Sequence, residues 1–142
     1  MKDIRQILNN KILILDGAMG TMIQDYKLDE NDYRGEKFSN YTSSLKGNND
    51  LLSITQPQII EDIHYKYLTA GADIIETNTF NANSISQSDY DLEDYVFEMN
   101  FQSAQIAKNA VDTHRKKFDQ HRMEGIATAM NGLKINRNKT EQ

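Results

Sequence analysis

Acidic and glycine residues follow an apolar run near the start of the sequence. Ile12–Leu15 is apolar throughout, and Asp16, Gly17 and Gly20 come soon after it. A carboxylate can hold the ammonium group of a ligand by charge, and glycines let a ligand approach backbone amides, which can hold a carboxylate. The pattern predicts a site for a small ligand, although a strand-to-helix turn in which Asp16 only caps the next helix explains it equally.

A second polar group lies further along the chain. The apolar segment around Ile74 ends in Glu76, Thr77, Asn78 and Thr79. If both segments are strands of one parallel sheet, their carboxyl ends open on the same rim, where α/β folds bind ligands. We therefore predict that the two polar groups share a site; capping of the following turn is the alternative.

The elements that would position these residues alternate along the chain. Apolar runs predict buried strands at Ile12–Leu15 and 72–77. Between them, Pro57 and Gly71 mark the start and end of an amphipathic helix. A second helix is predicted from Leu92 to about Lys116, and a weak third strand at Glu124–Met130.

This alternation predicts an α/β fold with a parallel sheet and helices outside it. A (β/α)₈ TIM barrel needs roughly 250 residues, so the chain would supply about the first three β/α units of a partial barrel; an open doubly wound sheet is the alternative. We predict one domain over residues 1–130 and a frayed polar tail over 131–142. The polar stretch Asp29–Asn49 is predicted to be an ordered excursion rather than a linker.

Composition excludes several classes of function. A net charge of −5 argues against a nucleic-acid-binding surface, which needs clustered Lys and Arg. No apolar run approaches the roughly 20 residues of a membrane span, and the first ten residues lack the apolar core of a signal peptide. Cys is absent, which excludes a thiolate metal site. We therefore expect a cytoplasmic protein that binds neither nucleic acid nor membrane.

Other residues could bind a ligand, but each has a simpler structural explanation. Gly47–Asp50 is a turn or a binding loop, and all four residues favour turns. His64 has Glu61 three residues before it, as a helical metal site would need, but a solvated or partly packed position is the favoured interpretation, as it is for His114 and His121. The aromatic residues of the long loop either pack it onto the fold or stack on a partner: Tyr26, Tyr33, Phe38 and Tyr41.

Four segments of the sequence resemble one known family. They are Leu15–Gln24, 33–38, 47–52 and 70–81, in the same order as in that family. Together they resemble the homocysteine S-methyltransferase family, and within it the homocysteine-binding barrel of the cobalamin-dependent methionine synthase branch. The long loop and the Gly-Asn-Asn-Asp element point to that branch. The resemblance covers roughly residues 4 to 117.

The resemblance implies homocysteine as the ligand. Asp16 and Gly17 would contact its amino-acid end, Thr77 would line the pocket, and Glu76 and Asn78 are further substrate-binding candidates. In the intact family enzyme zinc favours the homocysteine thiolate, methylcobalamin donates the methyl group, and methyltetrahydrofolate restores it. The implied partners are therefore homocysteine, the remaining barrel, and folate and cobalamin domains.

The chain departs from the family at the metal site. The family's zinc is held by three cysteines, whereas this sequence has no Cys. The resemblance also fades after Phe118, so we expect a truncated chain or fragment that has no catalytic or metal-binding residue of its own and is inactive alone. Two alternatives stay open: a non-catalytic fragment that assembles with a complementary chain, and a small α/β domain that binds phosphate at Gly17–Thr21.

Overall fold

Helices account for nearly all of the regular structure. The computed structural model describes the backbone of residues 4–140 and the side chains of residues 4–124. The α-helices of this part of the chain are α1 Ile4–Leu8, α2 Met19–Gln24, α3 Glu30–Arg34, α4 Leu52–Thr55, α5 Pro57–Ala70, α6 Ser84–Gln87 and α7 Val96–Thr140. Short 3₁₀ helices occupy Asn49–Leu51, Ser88–Tyr90 and Glu93–Tyr95.

The predicted α/β fold with TIM-barrel units is wrong. Within residues 4–140 no extended strand or sheet forms. The two segments predicted as strands meet in a single parallel bridge, between Leu15 and Ile74. The predicted third strand at Glu124–Met130 is part of α7. The fold is therefore helical, with one short parallel contact between two non-helical segments.

Exposure explains why the apolar run Ile12–Leu15 misled the prediction. Ile12 is 89% exposed, and more than half of Ile14 and Leu15 is exposed. A strand buried on both faces needs paired neighbours and layers above and below it, which this segment does not find among the described residues. Four apolar residues in a row favour burial, but they do not specify what covers them.

Hydrogen bonds nevertheless fix the two segments side by side. The Asp16 amide donates to the Ile74 carbonyl (3.0 Å), and the Ile74 amide donates to the Ile14 carbonyl (3.1 Å). The Asp73 carboxylate accepts from the Ile14 amide and pairs with Lys11. The hydrogen bond from Lys11 lowers the pKa of Asp73 and so favours its carboxylate form.

The helix predicted between Pro57 and Gly71 is confirmed. Pro57 occupies the first turn of α5, where its missing amide removes no helical hydrogen bond. Gly71 caps the other end in the left-handed conformation (φ 104°), and its amide donates back to Leu68. The apolar face of α5 buries Ile60 and Ile63, and the helix packs against α2 and α4.

The polar stretch Asp29–Asn49 contributes to the core. A capping box starts α3, because Asp29 accepts from the Asp32 amide while the Asp32 carboxylate accepts from the Asp29 amide. Phe38 is buried, and its ring packs edge-on against Tyr95 with centroids 4.9 Å apart. The aromatic side chains of this stretch therefore pack it onto the fold.

One hydrophobic cluster holds these elements together. Its large, fully buried apolar side chains come from α2, the long stretch, α5, α7 and the segments between them: Ile23, Leu45, Leu51, Leu52, Ile60, Ile63, Leu92 and Met99. Burying each such side chain stabilises the fold by about 1.5–3 kcal/mol. The helix predicted from Leu92 begins at Val96. It buries residues spaced by three or four positions along one face: Met99, Ser103, Ile106 and Ala110.

The chain divides into two compact units within α7. One unit ends at Val111 and the other begins at Asp112. The core and the polar groups discussed below belong to the first unit. The domain over 1–130 and the tail over 131–142 stay predictions.

Of the glycines whose surroundings the structure describes, Gly35 should be the least tolerant of substitution. Its φ is 54°, and an added Cβ would lie 3.1 Å from the Thr55 Cβ. Gly71 also has positive φ, but nothing lies within 4 Å of its added Cβ. We expect Gly35→Ala to lower the free energy of unfolding by about 2–3 kcal/mol and Gly71→Ala by about 1 kcal/mol. Urea unfolding followed by circular dichroism measures both; equal losses would show that the contact with Thr55 has no effect.

Candidate functional site

A cavity of about 410 Å³ joins the two polar groups found in the sequence. We call it the Asp16 cavity. Its lining consists of two runs of five residues: Asp16, Gly17, Ala18, Met19 and Gly20, and Glu76, Thr77, Asn78, Thr79 and Phe80. All five residues predicted to bind substrate therefore lie around one cavity, and their role in binding stays a prediction.

The parallel bridge positions the two runs. Leu15 and Ile74 pair, so both chains leave the bridge in the same direction. Immediately beyond it, Asp16 Oδ1 accepts a hydrogen bond from the Glu76 amide at 2.9 Å. The Asp16 carboxylate therefore ties the two runs together, and its second oxygen can be offered to a ligand.

Asp16 does not act as the helix cap that the alternative explanation required. The N-cap of α2 is Ala18, and no side chain caps this end of the helix by a hydrogen bond. Ala18 has φ 46°, a left-handed conformation that costs a non-glycine residue about 1–2 kcal/mol. Strain of this kind is often found at functional sites.

The glycines of this turn are not required by backbone conformation. Gly17 and Gly20 are not among the residues with positive φ. Nothing lies within 4 Å of a Cβ added at Gly17, and a Cβ at Gly20 would meet only the Asn49 side-chain nitrogen at 3.7 Å. The missing Cβ of Gly17 therefore leaves the backbone open to the cavity, without relieving strain or crowding.

The opposite side of the Asp16 cavity carries hydroxyl and apolar groups. The hydroxyls of Thr77 and Thr79 lie 2.8 Å apart, so one donates to the other and one hydroxyl hydrogen of the pair is left to donate elsewhere. Phe80 is 94% exposed at the rim. The lining includes the carboxylates of Asp16 and Glu76 and no Lys, Arg or His. Its charge favours a ligand with an ammonium group and disfavours phosphate.

Asn78 anchors the cavity wall to the core. Only 6% of this residue is exposed. Its side-chain amide donates to the Asn49 carbonyl (2.7 Å) and to Ser53 Oγ (3.2 Å). Ser103 Oγ lies 2.7 Å from Ser53 Oγ and 3.0 Å from the Asn78 carbonyl. A buried polar network therefore connects the Asp16 cavity to α4 and α7, which the sequence pattern did not predict.

The Gly47–Asp50 segment forms a turn beside the cavity, which is the structure that its four turn-favouring residues predicted. Asn48 and Gln87 pair through their side-chain amides, with Asn48 Nδ2 donating to Gln87 Oε1 at 2.7 Å. Asp50 is buried and accepts from the Asn81 amide at 2.9 Å. Burial raises the pKa of Asp50 although this hydrogen bond acts against the shift. The segment thereby holds the chain that follows Phe80.

His64 is more deeply buried than the sequence suggested. It was expected to be solvated or partly packed, but it is fully buried on α5. Neither ring nitrogen has a hydrogen-bond partner among the described residues. By contrast, His121 is exposed, and its Nδ1 lies 2.7 Å from the Lys117 carbonyl.

The chain belongs to the homocysteine S-methyltransferase family. Residues 13–133 match the family described as homocysteine S-methyltransferase, a range that contains both runs of the Asp16 cavity. Membership connects the chain with the methylation of homocysteine. Separately, none of the helices in the described part of the chain combines the length and apolar character that crossing a membrane requires.

The residues present do not fit the zinc ion of the methionine synthase branch. The sequence contains no Cys. Among the described residues, no group of three or more His, Cys, Asp or Glu side chains is placed to hold a metal ion. A zinc site needs four such ligands, or three and an open position.

Zinc titration should therefore reveal no specific site in this chain. We expect calorimetry with Zn²⁺ to give only weak binding of the kind that scattered histidines produce. The three histidines are His64, His114 and His121, and the triple substitution to Gln is the control, which should remove most of that signal. A one-to-one site with a Kd of about 1 nM, as structural zinc sites have, would contradict the prediction.

Proposed function

We propose that the chain binds homocysteine in the Asp16 cavity as the acceptor of a methyl group, in a methionine synthase of the cobalamin-dependent type. One observation supports this most directly: the two runs that the sequence identified separately line a single cavity in the segment that matches the homocysteine S-methyltransferase family. At about 410 Å³, the cavity is within the range of small-molecule sites.

The charge of the cavity suggests how homocysteine lies in it. Its ammonium group binds the free oxygen of Asp16, with Glu76 adding negative charge nearby. Its carboxylate accepts hydrogen bonds from the remaining hydroxyl hydrogen of the Thr77–Thr79 pair and from the backbone amide exposed at Gly17. A charge-assisted hydrogen bond contributes about 1.5–3 kcal/mol, so Asp16 provides the largest single contribution.

The sulfur end of homocysteine then faces the apolar part of the lining. Met19 and Phe80 are the apolar side chains of the cavity with the largest surface, and sulfur contacts both favourably. Phe80 lies at the exposed rim, so this orientation presents the sulfur toward the mouth. Methylation would form a bond between this sulfur and the methyl carbon while the bond from that carbon to its donor breaks. The electron pair of the broken bond stays on the donor, and the thiol proton leaves to solvent.

The methyl donor comes from outside this chain in the proposal. A corrinoid is several times larger than homocysteine and exceeds the roughly 410 Å³ of the Asp16 cavity. Methylcobalamin would therefore be carried by a partner domain that meets the mouth of the cavity, and methyltetrahydrofolate, which restores the methyl group of the corrinoid in the family, would be carried by another. The chain by itself binds the acceptor and does not catalyse methyl transfer.

Calorimetric titration with L-homocysteine tests the binding step. We expect Asp16→Asn to raise the Kd about 10–100-fold, because it removes the charge while keeping an oxygen that can accept from the Glu76 amide. Asp25→Asn is the matched control, since Asp25 is an exposed carboxylate just beyond α2, and it should leave the Kd unchanged.

A ligand-side comparison separates charge from general damage to the cavity. The compound 4-mercaptobutyrate is homocysteine without the ammonium group, so it should bind the native chain weakly. Its affinity should fall little further when Asp16 is replaced by Asn. The two changes should be non-additive, as expected when they remove the same interaction. Two outcomes would reject the role of Asp16. One is that Asp16→Asn weakens the binding of homocysteine and of 4-mercaptobutyrate by the same factor; the other is that Asp16→Asn and Asp25→Asn weaken the binding of homocysteine equally.

A further inference from the structure

His64 is a buried polar residue whose presence packing does not explain. Its imidazole is fully buried, and both ring nitrogens are unpaired in the part of the chain that the structure describes. A neutral imidazole has one donor and one acceptor, and leaving such groups buried without partners costs about 1–3 kcal/mol. An aliphatic residue would fill the same space without that loss, which suggests that the imidazole has another role.

Among the described residues, one charge acts on His64. α5 packs against α2 and α4, whose sequences Met-Gly-Thr-Met-Ile-Gln and Leu-Ser-Ile-Thr contain no titratable side chain. The titratable residues of α5 itself are Glu61, Asp62, Tyr65, Lys66 and Tyr67. Of these, Asp62 and Lys66 pair with each other at the surface and both bond to Tyr26. The negative charge that reaches His64 is that of Asp16, which lies just before α2.

Burial and Asp16 act on His64 in opposite directions. Burial lowers the pKa of His64 below its ordinary value of 6.5, whereas the negative charge of Asp16 favours the imidazolium form. His64 is therefore neutral at pH 7 and takes up a proton only in more acidic solution. When it does, Asp16 is the group that stabilises the new positive charge.

We infer that the imidazolium form of His64 competes with the ligand's ammonium group for the charge of Asp16, so that homocysteine binding in the Asp16 cavity weakens as the solution becomes acidic. The inference rests on the proposed function, because it concerns regulation of the same site. One carboxylate stabilises one cation well, and a second nearby cation is repelled by the first. By linkage, bound homocysteine must also reduce the proton affinity of His64 by the same factor.

Two measurements on the full chain test this inference. Imidazole NMR of ¹⁵N-labelled protein follows the protonation of the three histidines, which single substitutions assign. Saturating L-homocysteine should lower the midpoint of the His64 titration and leave that of His121 in place. Calorimetry between pH 5 and pH 7.5 should show the Kd rising at low pH, approaching tenfold per pH unit below the midpoint if competition is exclusive.

Substitution of the imidazole supplies the decisive comparison. His64→Gln keeps a donor and an acceptor but cannot take up a proton, so its Kd should not vary over this range, whereas His121→Gln should behave as the native chain. Binding with the same pH dependence in His64→Gln and the native chain overturns the inference and leaves the proposed function intact. Absence of binding at pH 7.5, where His64 is neutral, overturns both. If His64→Gln does not fold, the test is the shift that homocysteine causes in the midpoint of the His64 titration in the native chain. Absence of that shift overturns the inference.

Discussion

Asn78→Ala is expected to lower the free energy of unfolding by about 2–4 kcal/mol. The substitution removes the hydrogen bonds that the Asn78 amide donates to the partly buried Asn49 carbonyl and to Ser53 Oγ, which keeps its contact with Ser103 Oγ. A group left unsatisfied costs about 1–3 kcal/mol, and the space left by the truncated side chain adds to this loss. Because small domains are stable by only about 5–15 kcal/mol, this loss is large. Urea unfolding followed by circular dichroism measures it as a lower midpoint at unchanged slope.

Two further variants identify the cause of that loss. Asn78→Asp keeps the shape of the side chain but removes both donors and buries a charge, so it should destabilise the fold at least as much as Asn78→Ala. Asn109→Ala, at an exposed position of α7, should change the stability by less than about 0.5 kcal/mol. A loss for Asn78→Ala as small as that of Asn109→Ala would mean that the network does not support the cavity wall.

The stability of Asn78→Ala also bears on the site. Asn78 lies between the hydroxyl pair of Thr77 and Thr79 and is the residue of that run tied to α4 and α7. If its amide holds the run in place, the variant should bind homocysteine more weakly even under conditions where it remains folded. In the sequence, Asn78 was a candidate for direct contact with the substrate. Its side-chain hydrogen bonds point into the core instead, so Asn78 acts on the cavity by anchoring the backbone of the cavity wall.

Local signals in the sequence predicted the two long helices, α5 and α7. α5 was predictable because its two end signals are local. Pro57 favours the first turn of a helix and Gly71 favours the left-handed conformation that ends one, and neither effect depends on a distant residue. The buried stripe from Met99 to Ala110 was predictable from helical spacing alone. α7 runs further than predicted, since Gly125 and Thr128 only weaken a helix and do not stop it.

The fold class depended on contacts that a short pattern does not specify. The run Ile12–Leu15 predicted a buried strand, but whether such a segment pairs in a sheet depends on residues far away in the chain. The two runs that line the cavity, 16–20 and 76–80, lie close together without a sheet, because the single bridge between Leu15 and Ile74 aligns them in parallel. For this reason the five candidate residues lie around one cavity although the predicted barrel is wrong.

Long-range polar contacts were beyond sequence reasoning. The hydrogen bond from the Glu76 amide to Asp16 spans 60 positions, and the contacts of Ser103 with Ser53 and Asn78 span 50 and 25. The burial of His64 had a weak signal, since it follows Ile63 and lies between Ile60 and Tyr67 on α5. Its proximity to Asp16 had none, because it depends on how α5 packs against α2.

His64→Leu is expected to abolish much of the acid sensitivity of the fold. Burial lowers the pKa of His64 in the folded chain below the value of 6.5 that applies when it is unfolded. Between these two values the unfolded chain binds the extra proton, so stability falls as pH falls below about 6.5, by up to about 1.4 kcal/mol per pH unit. Leu removes this slope. At pH 7.5 it should be neutral or stabilising by about 1–2 kcal/mol, since it replaces two unpaired nitrogens with an apolar group of similar size.

Urea unfolding at several values between pH 4.5 and pH 7.5 checks this expectation, with His121→Leu as the exposed control. The native chain and His121→Leu should lose stability in parallel below about pH 6.5, while His64→Leu should lose only what the carboxylates contribute. Parallel slopes in all three chains would show that His64 takes up its proton as readily in the folded state as in the unfolded one. The imidazole would then not be held in its neutral form by the core, and the coupling to Asp16 would lack its physical basis.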